Sequence, residues 1–499
     1  MKKYNIITVI LIFLTLVVSC NNNDVSDVKV ESGTADFSKY VALGNSLTSG
    51  YRDNALYISG QRESYPAIIA EQMKRAGGGD FKIPYMSDEL GGIPSVGVNN
   101  KLILSVVGSS LAPVLATGTA TTTLDNIYSQ GPFQNLGVPG AKSFHLIAPG
   151  YGNPANLASG NANPYFVRFA SSANATVLED AVSQNPTFFS LWIGNNDVLG
   201  YATSGGDGSN SITATSQFQS AYLQLVQGLV AKGAKGVVAN LPNVTSIPFF
   251  TTVPYNPLTP ATLTASDPNQ IEKLNQAFSQ LNQVFDYLNH PERKVSYSST
   301  SSNPVLIKDK ALTDLSAQIT QVLVSQGISS TQAALYGSLY GQSRQATKSD
   351  YLLLTISGVL GKPNSEAINS GVPAELAVNG ITYPLADKWV LTSDEIANIN
   401  TATTQFNSII KSTADQYGLA FADVNSLMVD LSGKSGIIYD GVTYTSKFVT
   451  GGAFSLDGVH PTSRGYAFIA NEFIKAINKK YLSNLPQVNP NIYQGITFP

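Results

Sequence analysis

Short apolar runs alternate with longer amphipathic stretches over much of this chain. Five of the runs have the length of single strands and end in or next to motifs rich in glycine and polar residues, at 40–43, 133–138, 188–193, 236–241 and 419–424. Continuous short apolar runs are typical of strands that are buried on both faces of a parallel sheet. The pattern therefore predicts an α/β fold with a central parallel sheet of about five strands and helices on both sides.

Between the runs, apolar residues recur at helical spacing and the ends of the helices carry capping signals. A helix from Ser64 to about Arg75 has Pro66 in its first turn and glycines after its end. Thr392 and Glu395 form a capping box for a second helix that ends near Gly418. The same spacing predicts further helices at 216–229 and 463–481.

Two regions interrupt this alternation. Residues 80–130 are rich in glycine and small polar residues, which predicts loops and a hairpin. Residues 251–389 carry helical patterns at 270–288 and 315–324 and a tyrosine-bearing stretch at 336–340, with no internal repeat. We interpret 251–389 as an insertion or cap within the core. Its aromatic residues suit either sugar stacking or cover for an acyl chain, and the sequence leaves both open.

The N-terminus has the proportions of a secretory signal. Met1, Lys2 and Lys3 precede an apolar run at 6–18 that is too short to span a bilayer comfortably, and Cys20, the only cysteine, follows it. Residues 17–20 (VVSC) resemble a bacterial lipobox, which implies cleavage before Cys20 and lipidation of its sulfur. An ordinary cleaved signal with a chance cysteine is the alternative. We expect a lipid-anchored protein of the bacterial cell envelope, with a signal at 1–19 and a flexible polar tether at 20–36.

Charge and composition narrow the classes of function. The 499 residues carry a net charge of −3, only 13% of them are charged, and no block of lysine and arginine stands out. There is no basic field to hold nucleic acid, so we expect no nucleic-acid partner. No histidine and cysteine cluster has zinc spacing and no phosphate-binding loop is present, so we expect neither a metal nor a cofactor.

Four short motifs carry the chemistry: residues 44–48 (GNSLT), 135–140 (NLGVPG), 194–197 (GNND) and 457–461 (DGVHP). Three of them lie at or near the carboxyl ends of predicted strands, the edge of a parallel sheet where ligands bind. Together they supply a hydroxyl, a glycine N–H, a side-chain amide and a carboxylate three residues before an imidazole. These groups are the components of acyl transfer from an ester through a covalent serine intermediate. Each motif alone is typical of a turn or a helix cap; their joint occurrence favours one site.

The histidine and aspartate of the last motif suit the activation of a serine. A serine hydroxyl is a weak nucleophile at neutral pH, so an imidazole has to take its proton during attack. His460 is one of three histidines, with His145 and His290, which we expect to be structural or surface residues. Asp457 can hold His460 in the tautomer that leaves its second nitrogen facing the serine.

In this order the four motifs resemble the four sequence blocks of the SGNH (GDSL) hydrolase family. The resemblance implies that Ser46 is the nucleophile, that His460 is the general base and that Asp457 orients it. It assigns the oxyanion hole to Gly140, Asn196 and the Ser46 backbone N–H. The implied fold is a flavodoxin-like three-layer sandwich, with a core at 37–250 and 390–485, the insertion at 251–389 and a tail at 486–499.

One residue departs from the family pattern, since Asn45 replaces the usual aspartate of Gly-Asp-Ser-Leu. The aspartate is not among the four defining catalytic positions, so we expect activity to persist. The prediction is a serine esterase of the cell envelope that acts on O-acetylated glycans or on lipid esters. The alternative is a surface lipoprotein that binds glycan or lipid on the same scaffold without turnover, and a purely structural envelope protein is a weaker third interpretation.

Overall fold

Five parallel strands form the centre of the protein in a computed structural model that describes residues 29–499. They are β1 (Tyr40–Gly44), β2 (Asn135–Gly137), β3 (Phe188–Trp192), β4 (Lys235–Ala239) and β5 (Ala420–Ala422). Their order across the sheet is β2-β1-β3-β4-β5, and every pair is parallel. This is the flavodoxin-like strand order, so the predicted α/β fold with a five-stranded parallel sheet is confirmed.

Nine helices of eight or more residues belong to the described part of the chain. In chain order, α1 to α9 are Tyr65–Lys74, Asn196–Thr203, Thr215–Val230, Gln270–Tyr287, Ser316–Ser325, Ser330–Tyr340, Ser393–Gln416, Val424–Ser432 and Ser463–Tyr481. Shorter helices include Ser46–Ser49 and Val177–Val182, and a hairpin pairs Leu102–Val107 with Ser110–Leu115. The helices predicted from capping and spacing are confirmed, including the capping box of Thr392 and Glu395 on α7.

The helices cover both faces of the sheet. Trp192 on β3 packs edge-on against Tyr65 of α1 and against Phe473 of α9. Side chains alternate along a strand, so Leu191 faces the opposite side of the sheet. There α3 and α7 pack together through the stacked rings of Phe218 and Phe406, whose centroids are 4.1 Å apart. The predicted three layers are therefore present.

The predicted fifth strand, 419–424, is too long. Asp423 ends it, because its carboxylate accepts the backbone N–H of Ser426 and caps α8. Val424 thus begins a helix rather than ending a strand, and the sequence pattern had not indicated α8. An apolar run of this length is equally compatible with a strand and with the start of a buried helix.

Residues 251–389 have an apolar core of their own. A second cluster of buried side chains runs from Leu258 to Val390 and is built on α4, α5 and α6. At its centre the buried Arg293 guanidinium donates hydrogen bonds to the carbonyls of Thr313, Gly341 and Ser343. The domain boundaries at 250 and 390 stay predictions, but this region packs largely on itself.

The described N-terminal residues lie against the core. Thr34 donates its backbone N–H to the Tyr481 carbonyl at 2.7 Å, Ala35 is buried and Phe37 packs edge-on against Phe188. The tether at 20–36 stays a prediction, although Thr34 and Ala35 at its end contact the folded core. The predicted signal and Cys20 lie outside the described residues. Within 29–499 no helix has the length and apolar character that crossing a membrane requires.

Gly137 at the end of β2 allows the strand to pack directly on the Ser46–Ser49 helix. A Cβ at this position would lie 2.3 Å from the Ser49 nitrogen, which is backbone and cannot rotate away. We expect Gly137→Ala to lower the free energy of unfolding by about 1–3 kcal/mol, the usual cost of overpacking. Urea denaturation measures the change.

Gly358→Ala is the control for that substitution, since a Cβ at Gly358 would have no heavy atom within 4 Å. We expect its free energy of unfolding to stay within about 0.5 kcal/mol of wild type. Equal unfolding midpoints for the two variants would contradict the close packing at Gly137.

Candidate active site

Ser46 stands on a one-turn helix directly after β1. Asn45 caps this helix by accepting the Leu47 N–H on its Oδ1 at 3.0 Å. Gly50 ends the helix in the left-handed conformation at φ 86°. The turn is held to α1 by the hydrogen bond between the hydroxyls of Thr48 and Tyr65. Local sequence thus places the Ser46 hydroxyl at the carboxyl edge of the sheet.

The structure brings Ser46, His460 and Asp457 together in one hydrogen-bonded chain. Nε2 of His460 lies 2.9 Å from Oγ of Ser46, and Nδ1 of His460 lies 2.8 Å from Oδ2 of Asp457. Ser46 is 6% exposed, so most of its surface is shielded from solvent. The arrangement allows the imidazole to accept the serine proton while the carboxylate stabilises the imidazolium that forms.

Asp457 is kept ionised by a set of donors. Burial raises the pKa of its carboxyl, but the charge and hydrogen bonds of His460, with the backbone N–H groups of His460 and Val459, outweigh burial and hold the pKa at about 2. Both backbone donors lie 2.8 Å from Oδ1. The carboxylate is therefore charged throughout the neutral range.

A loop at 52–55 is hydrogen-bonded to the loop that carries Asp457 and His460. Asn54 donates its backbone N–H to Oδ2 of Asp457 at 2.9 Å. Asp53 accepts the Leu456 N–H at 3.0 Å and donates its own N–H to the Ser455 hydroxyl. Asp53 and Asn54 both have positive φ, at 53° and 60°, a conformation that aspartate and asparagine tolerate better than other side-chain-bearing residues. These hydrogen bonds position Asp457 from outside its own motif.

Motifs two and three are joined through Asp197. Its buried carboxylate accepts the Ser143 N–H at 2.8 Å and the Ser143 hydroxyl at 2.7 Å. Asn196, at the start of α2, donates from Nδ2 to the Ala141 carbonyl at 2.9 Å. Both contacts fix the segment that carries Gly140, which has a left-handed φ of 80°. Burial raises the pKa of Asp197, and the two Ser143 hydrogen bonds oppose that rise.

A cleft that is open at its mouth begins at the Ser46 hydroxyl. Of the predicted site residues, Ser46, Asn196 and His460 line it, while Asp457 lies behind His460. Gly140 does not line it; it follows β2 by three residues and stands exposed beside the cleft. Asn45 lines the cleft too, fully buried, and its Nδ2 has no hydrogen-bond partner among residues 29–499.

The remaining histidines lie apart from this chain of contacts. His145 stacks on Tyr151 at 4.7 Å and accepts the Lys142 N–H on Nδ1, so it braces the segment after Gly140. His290 is paired with Glu292 in the 251–389 region. Across residues 29–499, no group of three or more histidine, cysteine, aspartate or glutamate side chains is arranged to hold a metal ion.

Several supporting residues were not identified from the sequence. Asp53 and Asn54 carry a turn signal in their residue types, but nothing local shows which loop the turn contacts. Asp197 was quoted within its motif without a role. Tyr51 packs its ring against that of His460, with the ring centroids 4.7 Å apart.

One comparison with known protein families agrees with the last of the four motifs. The family model described as GDSL-like lipase/acylhydrolase matches residues 355–473, about a quarter of the chain, which include Asp457 and His460. The resemblance to this family is thereby confirmed, and with it the assignment of the chain as a carboxylic ester hydrolase. Among solved structures, an extracellular lipase from Streptomyces rimosus matches with 12% identity, 88% of this chain and 98% of that chain covered, and a TM-score of 0.28. No curated protein matches the chain.

The neutral form of His145 makes stability depend on pH. Burial, with a smaller contribution from Lys142, lowers the pKa of His145 from 6.5 to about 4. Between these values the unfolded chain binds more protons than the folded chain, so stability falls as the pH drops from about 6.5 to 4. In wild type we expect this fall in the free energy of unfolding to be on the order of 1 kcal/mol, after a discount for partial solvent screening. His145→Asn keeps an acceptor at the Nδ1 position but cannot be protonated, so we expect the fall to be absent in this variant.

Urea unfolding of wild type and His145→Asn at a series of pH values measures this difference. The variant starts from a lower stability because the Tyr151 stack is lost, so the slope against pH is the informative quantity. Parallel slopes between pH 6.5 and 4 would show that His145 titrates normally in the folded protein.

Proposed function

We propose that this GDSL-type ester hydrolase cleaves its substrate in two steps, through an acyl group carried on Ser46. The observation that carries the proposal is the continuous hydrogen-bonded chain from Ser46 Oγ through His460 to Asp457. A protein that only binds glycan or lipid has no need for a base aligned on a buried hydroxyl. Catalysis therefore explains the geometry better than the alternative of a binding lipoprotein.

In the first step His460 accepts the proton of Ser46 as Oγ attacks the ester carbonyl. The carbonyl oxygen becomes an oxyanion in a tetrahedral intermediate. When this intermediate collapses, His460 donates the proton to the leaving oxygen, which departs as the alcohol. In the second step His460 activates a water that attacks the acyl-enzyme, and collapse releases the carboxylic acid and restores Ser46. Asp457 stabilises the imidazolium in both steps.

The proposed oxyanion donors are the backbone N–H groups of Ser46 and Gly140 and the Nδ2 group of Asn196. The amide of Asn196 has two N–H bonds, and one of them is used on the Ala141 carbonyl. That contact fixes the amide plane and leaves the second N–H for the substrate. Preorganised donors of this type contribute about 2.7–4 kcal/mol each to transition-state stabilisation.

Substitution of Ser46 and Asp457 tests the proposed roles. We expect Ser46→Ala to lower kcat for p-nitrophenyl acetate on the order of 10⁶-fold, since the acyl-enzyme cannot form. Asp457→Asn, which is close in shape, should lower kcat roughly 10⁴-fold because it favours the wrong imidazole tautomer. Release of p-nitrophenol and thermal unfolding are measured on the same samples.

Ser110→Ala, at an exposed position on the hairpin, serves as the matched hydroxyl deletion and should keep wild-type activity. If Ser46→Ala turns over as fast as wild type, the hydrolytic role of this site is refuted. A wild-type protein that binds esters without releasing product would favour the binding lipoprotein.

We further propose that the enzyme is held at the bacterial cell envelope by a lipid on Cys20. The lipobox-like residues 17–20 after an apolar run support this, and Cys20 is the only cysteine in the chain. An unpaired thiol in an oxidising compartment is otherwise a liability. The ester substrates would then be O-acetylated glycans or lipid esters within reach of that membrane.

The anchor is tested by Cys20→Ser in the full-length chain expressed in a bacterium. We expect wild type to partition into the detergent phase of Triton X-114 and Cys20→Ser to partition into the aqueous phase, because the acyl chains are absent. Ser26→Ala is the control and should partition like wild type. Unchanged partitioning of Cys20→Ser would rule out the anchor.

A further inference from the structure

The walls of the cleft at Ser46 separate into a polar end and an apolar remainder. Its five polar side chains all belong to the catalytic motifs or lie beside them: Asn45, Ser46, Asn195, Asn196 and His460. The other sixteen lining residues are apolar or glycine, and none of the lining residues is an aspartate, glutamate, lysine or arginine. Beyond the proposed reaction centre, the walls therefore offer a ligand only apolar contact.

Core elements alone form the apolar part. One wall comes from α8, whose residues Val424, Leu427, Met428 and Leu431 face the cleft. A second wall comes from the segment after β4, with Val244 and Ile247. A third comes from Phe454, in the segment before α9, and from Ile469 on that helix. No residue of 251–389 lines the cleft, so that region supplies neither sugar stacking nor acyl cover at this surface.

The apolar walls of the cleft fit an acetyl group poorly. A single methyl would reach only the walls next to Ser46 and leave the apolar side chains of α8 in contact with water, which wastes the burial that these walls can provide. A sugar ring inside the cleft would lose the hydrogen bonds of its hydroxyls to water and find no polar side chains to replace them. A hydrocarbon chain fills the space without either cost.

On the basis of the proposed function, we propose that this cleft binds the acyl chain of the ester and that the substrates are medium-chain lipid esters rather than O-acetylated glycans. The acyl carbon is the atom that becomes bonded to Ser46 Oγ, and the cleft starts at that oxygen. The acyl chain then lies along α8 while the alcohol departs on the side of His460. Leu427 and Val244 are specificity-determining residues that contact the chain from two walls.

Acyl chain length at a constant leaving group tests the proposal. The probes are p-nitrophenyl acetate, hexanoate and decanoate, compared by kcat/KM below their critical micelle concentrations. Each buried methylene should raise kcat/KM about fourfold, so hexanoate should exceed acetate on the order of 100-fold. Leu427→Trp fills part of the cleft and should lower the hexanoate-to-acetate ratio of kcat/KM at least tenfold.

Val429→Trp is the matched control, since Val429 stands on the same helix, is 61% exposed and does not line the cleft. It should leave the ratio unchanged. Val244→Phe reduces the space from another wall and should lower the ratio in the same direction, which keeps the test valid if Leu427→Trp fails to fold.

Two outcomes overturn the acyl assignment and leave hydrolysis intact. One is Ser46-dependent turnover with the same kcat/KM for all three acyl lengths. The other is a length preference that appears only among acetate esters of longer alcohols and responds to Leu427→Trp, which would place the alcohol in the cleft. Equal turnover by wild type and Ser46→Ala would instead refute the proposed function itself.

Discussion

The site depends on the parallel pairing of β1 with its two neighbours. Gly44 at the end of β1 is level with Gly137 on β2 and with Trp192 on β3. Ser46, Gly140 and Asn196 follow these positions by two, three and four residues, so the ladder brings three distant parts of the chain to one edge. A slip by one residue in either pairing would turn every side chain of that strand to the other face of the sheet. The register of backbone hydrogen bonds is therefore the constraint from which the chemistry follows.

The fourth motif does not belong to a strand and needs a separate attachment. Asp457 receives five hydrogen bonds, from the backbone N–H groups of Asn54, Val459 and His460, from the Ser455 hydroxyl and from the His460 ring. The donor from Asn54 comes from a loop that follows the Ser46 turn by only a few residues. The hydrogen bonds from the 52–55 loop thus fix the loop of His460 relative to Ser46. Because its hydrogen bonds all come from the protein, the carboxylate is preorganised before any substrate binds.

The sequence was informative where a property is local. Strand positions follow from apolar runs, and helix starts such as Thr392 follow from capping residues. Ser46 and His460 were selected as candidates because their residue types carry the functional groups that acyl transfer needs. The structure adds what depends on pairing across the fold. Asp197 bonds Ser143 and Asn54 bonds Asp457 over separations that no local pattern encodes. Helix α8, which walls the cleft, was hidden because Val424 continues the apolar run of β5 and only the cap at Asp423 separates the two.

Asn45, the departure from the family pattern, fits the cleft that it lines. Its Oδ1 caps the Ser46 turn by accepting the Leu47 N–H, which a carboxylate oxygen could do equally well. The residue is fully buried beside apolar walls, however, and an ionised carboxylate there would incur a large desolvation cost without a cation in the cleft lining to offset it. The amide keeps the cap and removes the charge. Its Nδ2 has no hydrogen-bond partner among the described residues, a smaller cost than that of a buried charge. An asparagine at this position is thus compatible with a cleft whose other walls are mainly apolar.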